Sequence, residues 1–190
     1  MRFVLFIIVT VITSFLSLMV YSGGYLMVFI STADPLYIVG IIYISVIIVC
    51  FVAGLLTGDY SWVDRLWSIL PFIYSWIYVY RSGLDSRVIL ISVLITIWGI
   101  RLTYNFARKG GYGNVEDYRW QEVKKGFKNK FLWQFFNFLF ISFYQNLLFV
   151  LFTLPVYVSY KFKGVPLNTL DLIATVFFIC LLILETIADQ

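Results

Sequence analysis

Three sets of side chains in an otherwise oily chain recur at helical spacing, and each is of a type that could do chemistry. Trp98, Arg101, Asn105 and Arg108 follow i, i+3, i+7, i+10 and fall on one stripe of a helix. Arg101 lies roughly 10 Å of helix rise inside Arg108. A guanidinium within a membrane span needs a partner, a polar cavity or a route to the headgroups. The stripe therefore reads as one wall of an internal polar pocket or, more plainly, as a snorkelling arginine. Asp64, Trp67, Pro71 and Tyr74 repeat the same spacing and descend roughly 15 Å to Tyr74. They suit an aromatic wall for an apolar ligand. The plainer roles are a helix N-cap for Asp64 and a kink for Pro71. Glu185 and Asp189, four residues apart, share a face. They are either ordinary interface residues or partners for Arg101, Arg108 or the hydroxyls of a ligand.

The longest polar stretch, "FARKGGYGNVEDYRWQEVKKG", runs from residue 106 to 126. Its glycines permit turns or close approach to a ligand. They form neither a phosphate-binding P-loop nor a GxGxxG dinucleotide fingerprint. Lys124, Lys125, Lys128 and Lys130 suit anionic headgroups equally well. The chain has no histidine. That excludes histidine acid–base relays and Ser-His-Asp triads within this chain, and most haem or zinc sites. Cys50 and Cys180 sit in separate apolar runs and read as packed free thiols, so no metal site is expected.

The elements that must position these residues are membrane helices. Hydrophobic residues make up 62% of the 190 and charged ones 13%, against about 25% charged in a soluble domain. Mean hydropathy is +0.92. Six candidate spans follow, at about 3–30, 36–57, 63–80, 88–106, 132–158 and 169–188, separated by Gly-, Pro-, Asp-, Asn- or Ser-bearing breaks. Lipid cannot satisfy open backbone groups, so the expectation is an all-α polytopic bundle forming a single transmembrane domain over 1–190. The basic start and apolar run at the N-terminus suit an uncleaved first helix. Gln145 and Asn146 within the fifth span suit interhelical hydrogen bonds. Nine Lys and Arg residues fall on the side of both termini and the loop 107–131, against four on the other. This puts both termini and that loop in the cytoplasm. The net charge of +4 then marks the membrane side rather than a nucleic-acid surface.

"DRLWSILP", "WGIRLTYNFARKGGY", "DYRW" and "ETIADQ", in this order, resemble a group of multispanning membrane proteins related to steroid 5-alpha-reductases. The likeness covers residues 58–190. It implies about seven helices and an NADPH-dependent reduction of a carbon–carbon double bond conjugated to a carbonyl, in a steroid-like or other lipid. Arg101, Arg108 and Arg119 are then the phosphate-binding candidates. Asn105 and Asp189 suit ribose or amide groups, and Tyr118 and Glu185 join the cofactor set. The Glu185–Asp189 pair resembles the Asn/Asp pair of that group, with Glu in place of Asn. Tyr74, deep on its stripe, is the candidate acid, with Tyr104, Tyr112 and Tyr118 as open alternatives, and Asp64, Trp67 and Trp98 stand against the substrate. The pattern of that group continues past "ADQ" with a Gly/Trp segment and an Arg-His-Pro motif. The resemblance therefore implies a cofactor site incomplete in this chain. Two rivals remain at this point: an S-adenosylmethionine-dependent membrane methyltransferase of the isoprenylcysteine or phospholipid type, and a non-catalytic membrane protein or transporter.

Overall fold

A computed structural model describes residues 25–113 and 116–189. The basic start and most of the first candidate span lie outside these residues. The described chain is mostly helical, with no strand among the described residues, and it is an all-α bundle of the expected class. Its elements are α1 (Tyr25–Thr32), α2 (Pro35–Thr57), a 3-10 turn (Asp64–Leu66), α3 (Ile69–Ser82), α4 (Ser86–Arg108) and α5 (Tyr118–Lys125). Then follow α6 (Lys130–Phe136), a π-helical segment (Asn137–Tyr144), α7 (Gln145–Lys161) and α8 (Thr169–Ala188). Among the described residues, four stretches are long and apolar enough to cross a membrane: Pro35–Thr57, Ser86–Arg108, Lys130–Lys161 and Thr169–Ala188.

The third expected span is built differently. Its α-helix starts at Ile69 and has only 14 residues, behind a 3-10 turn. Asp64 therefore does not cap it. The N-cap is Ser68, and no side chain bonds there. Pro71 falls in the first turn, where backbone N–H groups have no intrahelical partner, so it fits without a kink. What α3 lacks in length it recovers in burial. Leu70, Tyr74, Ser75, Tyr78 and Val79 are all buried, and α3 packs against α4 and α7 at the centre of the bundle. Trp67 meets Phe149 edge-on at 5.0 Å, and Tyr78 meets Tyr157 at 5.5 Å.

The end away from the polar loop is clamped by carboxylates. Asp34 caps α2 through the Leu36 N–H and accepts from Tyr157 at 3.1 Å and Lys161 at 2.6 Å. Arg81 donates to the carbonyls of Ser31 and Ala33. Asp85 caps α4 through the Arg87 and Val88 N–H groups, and its second oxygen takes the Gly164 N–H at 2.7 Å. Arg87 holds Asp171 bidentately, at 2.8 Å to each oxygen. Asp171 in turn forms a capping box with Asn168 at the start of α8. These breaks in the apolar pattern are thus the cross-links of the bundle, not only connections.

The Gly164, Val88 and Arg87 N–H groups hold the Asp85 carboxyl below its ordinary range. A depressed carboxyl stabilises the fold above its unfolded value of about 4 and loses that contribution as pH falls through the folded value. Asp85→Ala is expected to lower stability in detergent by about 1 kcal/mol at neutral pH, with the deficit shrinking below about pH 4. Asp85→Asn, which keeps an acceptor oxygen, recovers most of it. Thermal unfolding across pH measures both.

Candidate functional site

The stripe on α4 meets the last turn of α8. Arg101 reaches Asp189 at 2.8 Å and Glu185 at 2.5 Å. Asn105 Nδ2 donates to the same Asp189 oxygen at 2.7 Å. Arg108 donates to the Asp189 carbonyl at 3.2 Å, and Lys109 Nζ stands 3.9 Å from Asp189 Oδ1. The Arg101 side chain is 11% exposed, against 30% for Asp189 and 48% for Glu185. Arg101 is therefore paired inside the protein rather than snorkelling.

Helix geometry explains why these groups need one another. α4 and α8 run in the same direction, so both negative dipole ends lie at the polar-loop end. Glu185 and Asp189 sit at a C-terminus, where acidic groups are disfavoured. Arg101, Arg108 and Lys109 supply the compensating charge, three cations against two carboxylates. Some hydrogen-bonding capacity remains unused. Arg101 Nε is buried without a partner. The Glu185 contact is an ion pair without hydrogen-bond alignment.

The polar loop folds onto the connection between α2 and α3. Tyr60 N–H donates to Glu116, and Asp117 N–H donates to Ser61 Oγ. Arg65 is held by Asp59 at 2.7 Å and donates to the carbonyls of Gly111 and Gly113. Gly110 adopts a left-handed conformation, with φ 80°. Gly111 lies so close to Phe106 that a Cβ there would come within 2.4 Å of its ring. Asp64 accepts the Trp120 indole N–H at 2.6 Å and lies 3.6 Å from Arg119. Arg119 also pairs with Asp117, and Tyr118 is exposed.

An apolar cleft of about 380 Å³ opens between α3, α4 and α7. Trp67, Pro71, Trp98, Phe149 and Phe152 line it. Trp98 is one turn of α4 from Arg101, so the cleft and the charged cluster adjoin along one helix face. Tyr74 lies one turn beyond Pro71 and is fully buried, and its hydroxyl has no hydrogen-bond partner.

The structure thus brings Arg101, Asn105, Arg108, Glu185 and Asp189 into one cluster. Asp64 and Arg119 stand in a second, beneath the loop. Trp67 and Trp98 share the cleft. Sequence reasoning did not single out Ser68, Thr103 or Gly99, which join α3 to α4. The Ser68 and Thr103 hydroxyls are 2.6 Å apart. A Cβ on Gly99 would meet the Ser68 carbonyl at 2.8 Å. The small residue was the available signal. Asn146 Nδ2 donates to the Ser142 carbonyl one turn back and Asn146 also interacts with the Cys50 thiol of α2, while Gln145 Oε1 has no partner among the described residues. Among the described residues no group of three or more His, Cys, Asp or Glu is arranged to hold a metal ion.

A family model described as "Protein of unknown function (DUF1295)" matches residues 50–190. "Uncharacterized protein C594.04c" of Schizosaccharomyces pombe (strain 972 / ATCC 24843) is 36% identical over 140 residues. That alignment covers 70% of this chain and 40% of the relative, so the chain spans about two-fifths of the relative's length. No solved structure matches.

Arg101→Gln and Asp189→Asn are each expected to destabilise the protein by about 2 kcal/mol, because each removes a charged partner from a part-buried cluster. The double variant should lose less than the sum, with a coupling of about 1 kcal/mol. Unfolding in detergent of the wild type and the three variants gives the cycle.

Proposed function

The chain belongs to the family described as protein of unknown function (DUF1295), and on that premise we propose that it carries the polar half of a membrane reductase site. In this reading a carbon–carbon double bond conjugated to a carbonyl, in a steroid-like or other lipid, is reduced with NADPH. The observation that carries the reading is the adjacency of two unlike surfaces on α4. A cluster of three cations and two carboxylates lies one helical turn from an aromatic cleft.

The residues fit a phosphate-bearing cofactor. Arg108 bonds only a backbone carbonyl, Lys109 is exposed, and Arg101 Nε is an orphaned buried donor. A guanidinium binds phosphate bidentately. Asp189 Oδ1 keeps acceptor capacity for a ribose hydroxyl, while Asn105 fixes the other oxygen. Bound nicotinamide would supply the hydride for the β carbon of the enone. The protein would do the rest. The cleft would hold the apolar body of the substrate between Trp67 and Trp98 and exclude water. Tyr74 has a hydroxyl without an acceptor, and it would donate to the substrate carbonyl and stabilise the charge that develops there. Asp64, tied to Trp120, would fix the loop over the site, and Arg119 and Tyr118 would approach the cofactor from the loop. The sterol, isoprenoid and fatty-acyl enones share the apolar body this cleft suits.

Titration of the purified protein with NADPH and with S-adenosylmethionine tests the reading. Saturable binding of NADPH alone is expected. Arg108→Gln should weaken it roughly tenfold, as befits one charged hydrogen bond. Tyr74→Phe should cut turnover by about 100-fold and leave NADPH affinity unchanged. Binding of S-adenosylmethionine without NADPH would overturn the reductase reading. Equal loss of turnover and affinity in Tyr74→Phe would move that residue to a folding role.

A further inference from the structure

A second groove lies outside the site just described, on the face of α6 and the π segment that no other described element covers. It has a volume of about 490 Å³, and its walls are two rows of apolar side chains. Leu132 and Leu139 belong to one row, Phe136, Phe140 and Tyr144 to the other, and Phe127 closes the loop end. The second row is an aromatic ladder. Phe136 and Phe140 stack at 5.0 Å with planes 18° apart, and Phe140 and Tyr144 stack at 5.5 Å and 22°. From Leu132 to Tyr144 the groove is at most about 18 Å long, the α-helical rise of 1.5 Å per residue being an upper bound for its π-helical part. A straight apolar slot of that length suits an acyl chain.

The charges at its closed end decide what kind of lipid. Phe127 contacts Trp133 at 5.5 Å and Phe136 at 5.1 Å. Lys124 Nζ stands over the Trp133 ring at 5.8 Å and the Tyr60 ring at 4.9 Å. Lys128 directly follows Phe127, and Lys130 lies two residues before Leu132. Lys125 is paired with Glu122. Lys124, Lys128 and Lys130 have no carboxylate within 4.0 Å among the described residues. Lys128 and Lys130, neither with a carboxylate within 4.0 Å among the described residues, therefore flank the loop end of the apolar slot along the chain, with Lys124 over the neighbouring Trp133 ring.

We infer that this groove is a binding site for an anionic phospholipid, with one acyl chain along the aromatic ladder and the phosphate between Lys128 and Lys130. The inference is independent of the reductase reading, since none of these residues belongs to the α4–α8 cluster or the Trp67–Trp98 cleft. Charge complementarity selects the anionic class. A zwitterionic lipid would fill the slot but leave the lysines uncompensated.

The test is native mass spectrometry of the purified chain from micelles holding equal amounts of phosphatidylglycerol and phosphatidylcholine. The wild type should retain phosphatidylglycerol roughly tenfold over phosphatidylcholine, a modest share of the effect of several surface lysines. Lys128→Gln with Lys130→Gln should bring the two lipids to near parity. Lys163→Gln, at the opposite end, should leave the preference unchanged. Leu139→Trp, which fills the slot, should lower retention of both lipids. Equal retention by the wild type, or a preference that survives the double lysine variant, would overturn the headgroup assignment. Unchanged retention in Leu139→Trp would overturn the groove.

Discussion

The pairing of α4 with α8 is the constraint on which the rest of the site depends. No residue of α8 is buried, and among the described elements its principal neighbour is α4. A helix with no buried residue and a mostly apolar surface gains little orientation from packing in lipid, where the tails are as apolar as most of its own side chains. Its position is set by charge. Arg87 holds Asp171 and Asn105 holds Asp189, at a sequence offset of 84 in each case. Arg101 and Glu185 share that separation. A constant offset means that two parallel helices keep one register along their length.

Those clamps stand where they cost least. From Arg87 to Asn105, α4 rises roughly 27 Å, close to the ~30 Å of hydrocarbon in a bilayer. The ion pairs therefore fall near the two interfaces, where partial hydration eases the desolvation that makes a mid-membrane charge so unfavourable. Arg101 is the deepest member, and it is the one with two carboxylates. The same arrangement draws three cations and two carboxylates to one end of the bundle, beside the aromatic cleft. Anchoring and the proposed cofactor contacts thus draw on the same side chains. The loop extends this economy, since Arg65, Glu116 and Asp117 tie it to the α2–α3 connection instead of leaving it in solvent.

The α4 stripe and the Glu185–Asp189 face were legible in the sequence because both lie on unbroken helices, where a period of 3.6 holds. The Asp64–Tyr74 stripe was only partly so. A 3-10 turn breaks its period, so Asp64 turns to Trp120 while Trp67 and Pro71 reach the cleft. The register of α4 and α8 could not be read from spacing, because any pairing of charges across two helices is a tertiary choice. The π segment had no sequence mark either, since "NFLFISFY" is apolar in any helical form. The end bearing "RSGLDSR" and "KFKGVPLN" shows only turn-forming breaks in the sequence. Its clamps became visible only once Asp85 met Gly164 and Arg87 met Asp171.

Disulfide trapping across α4 and α8 tests this register most directly. Leu94 lies on the α4 stripe, and Phe178 is its counterpart at the same offset of 84. In a chain with Cys50→Ser and Cys180→Ser, Leu94→Cys with Phe178→Cys should oxidise readily in membranes. Both thiols would then resist maleimide labelling until reduced. Leu94→Cys with Leu182→Cys, one turn out of step, should stay open, since a disulfide needs Cα atoms within about 7 Å. Trapping of the shifted pair in preference to the matched one would contradict the register, and with it the joining of Arg101, Asn105 and Asp189 into one site.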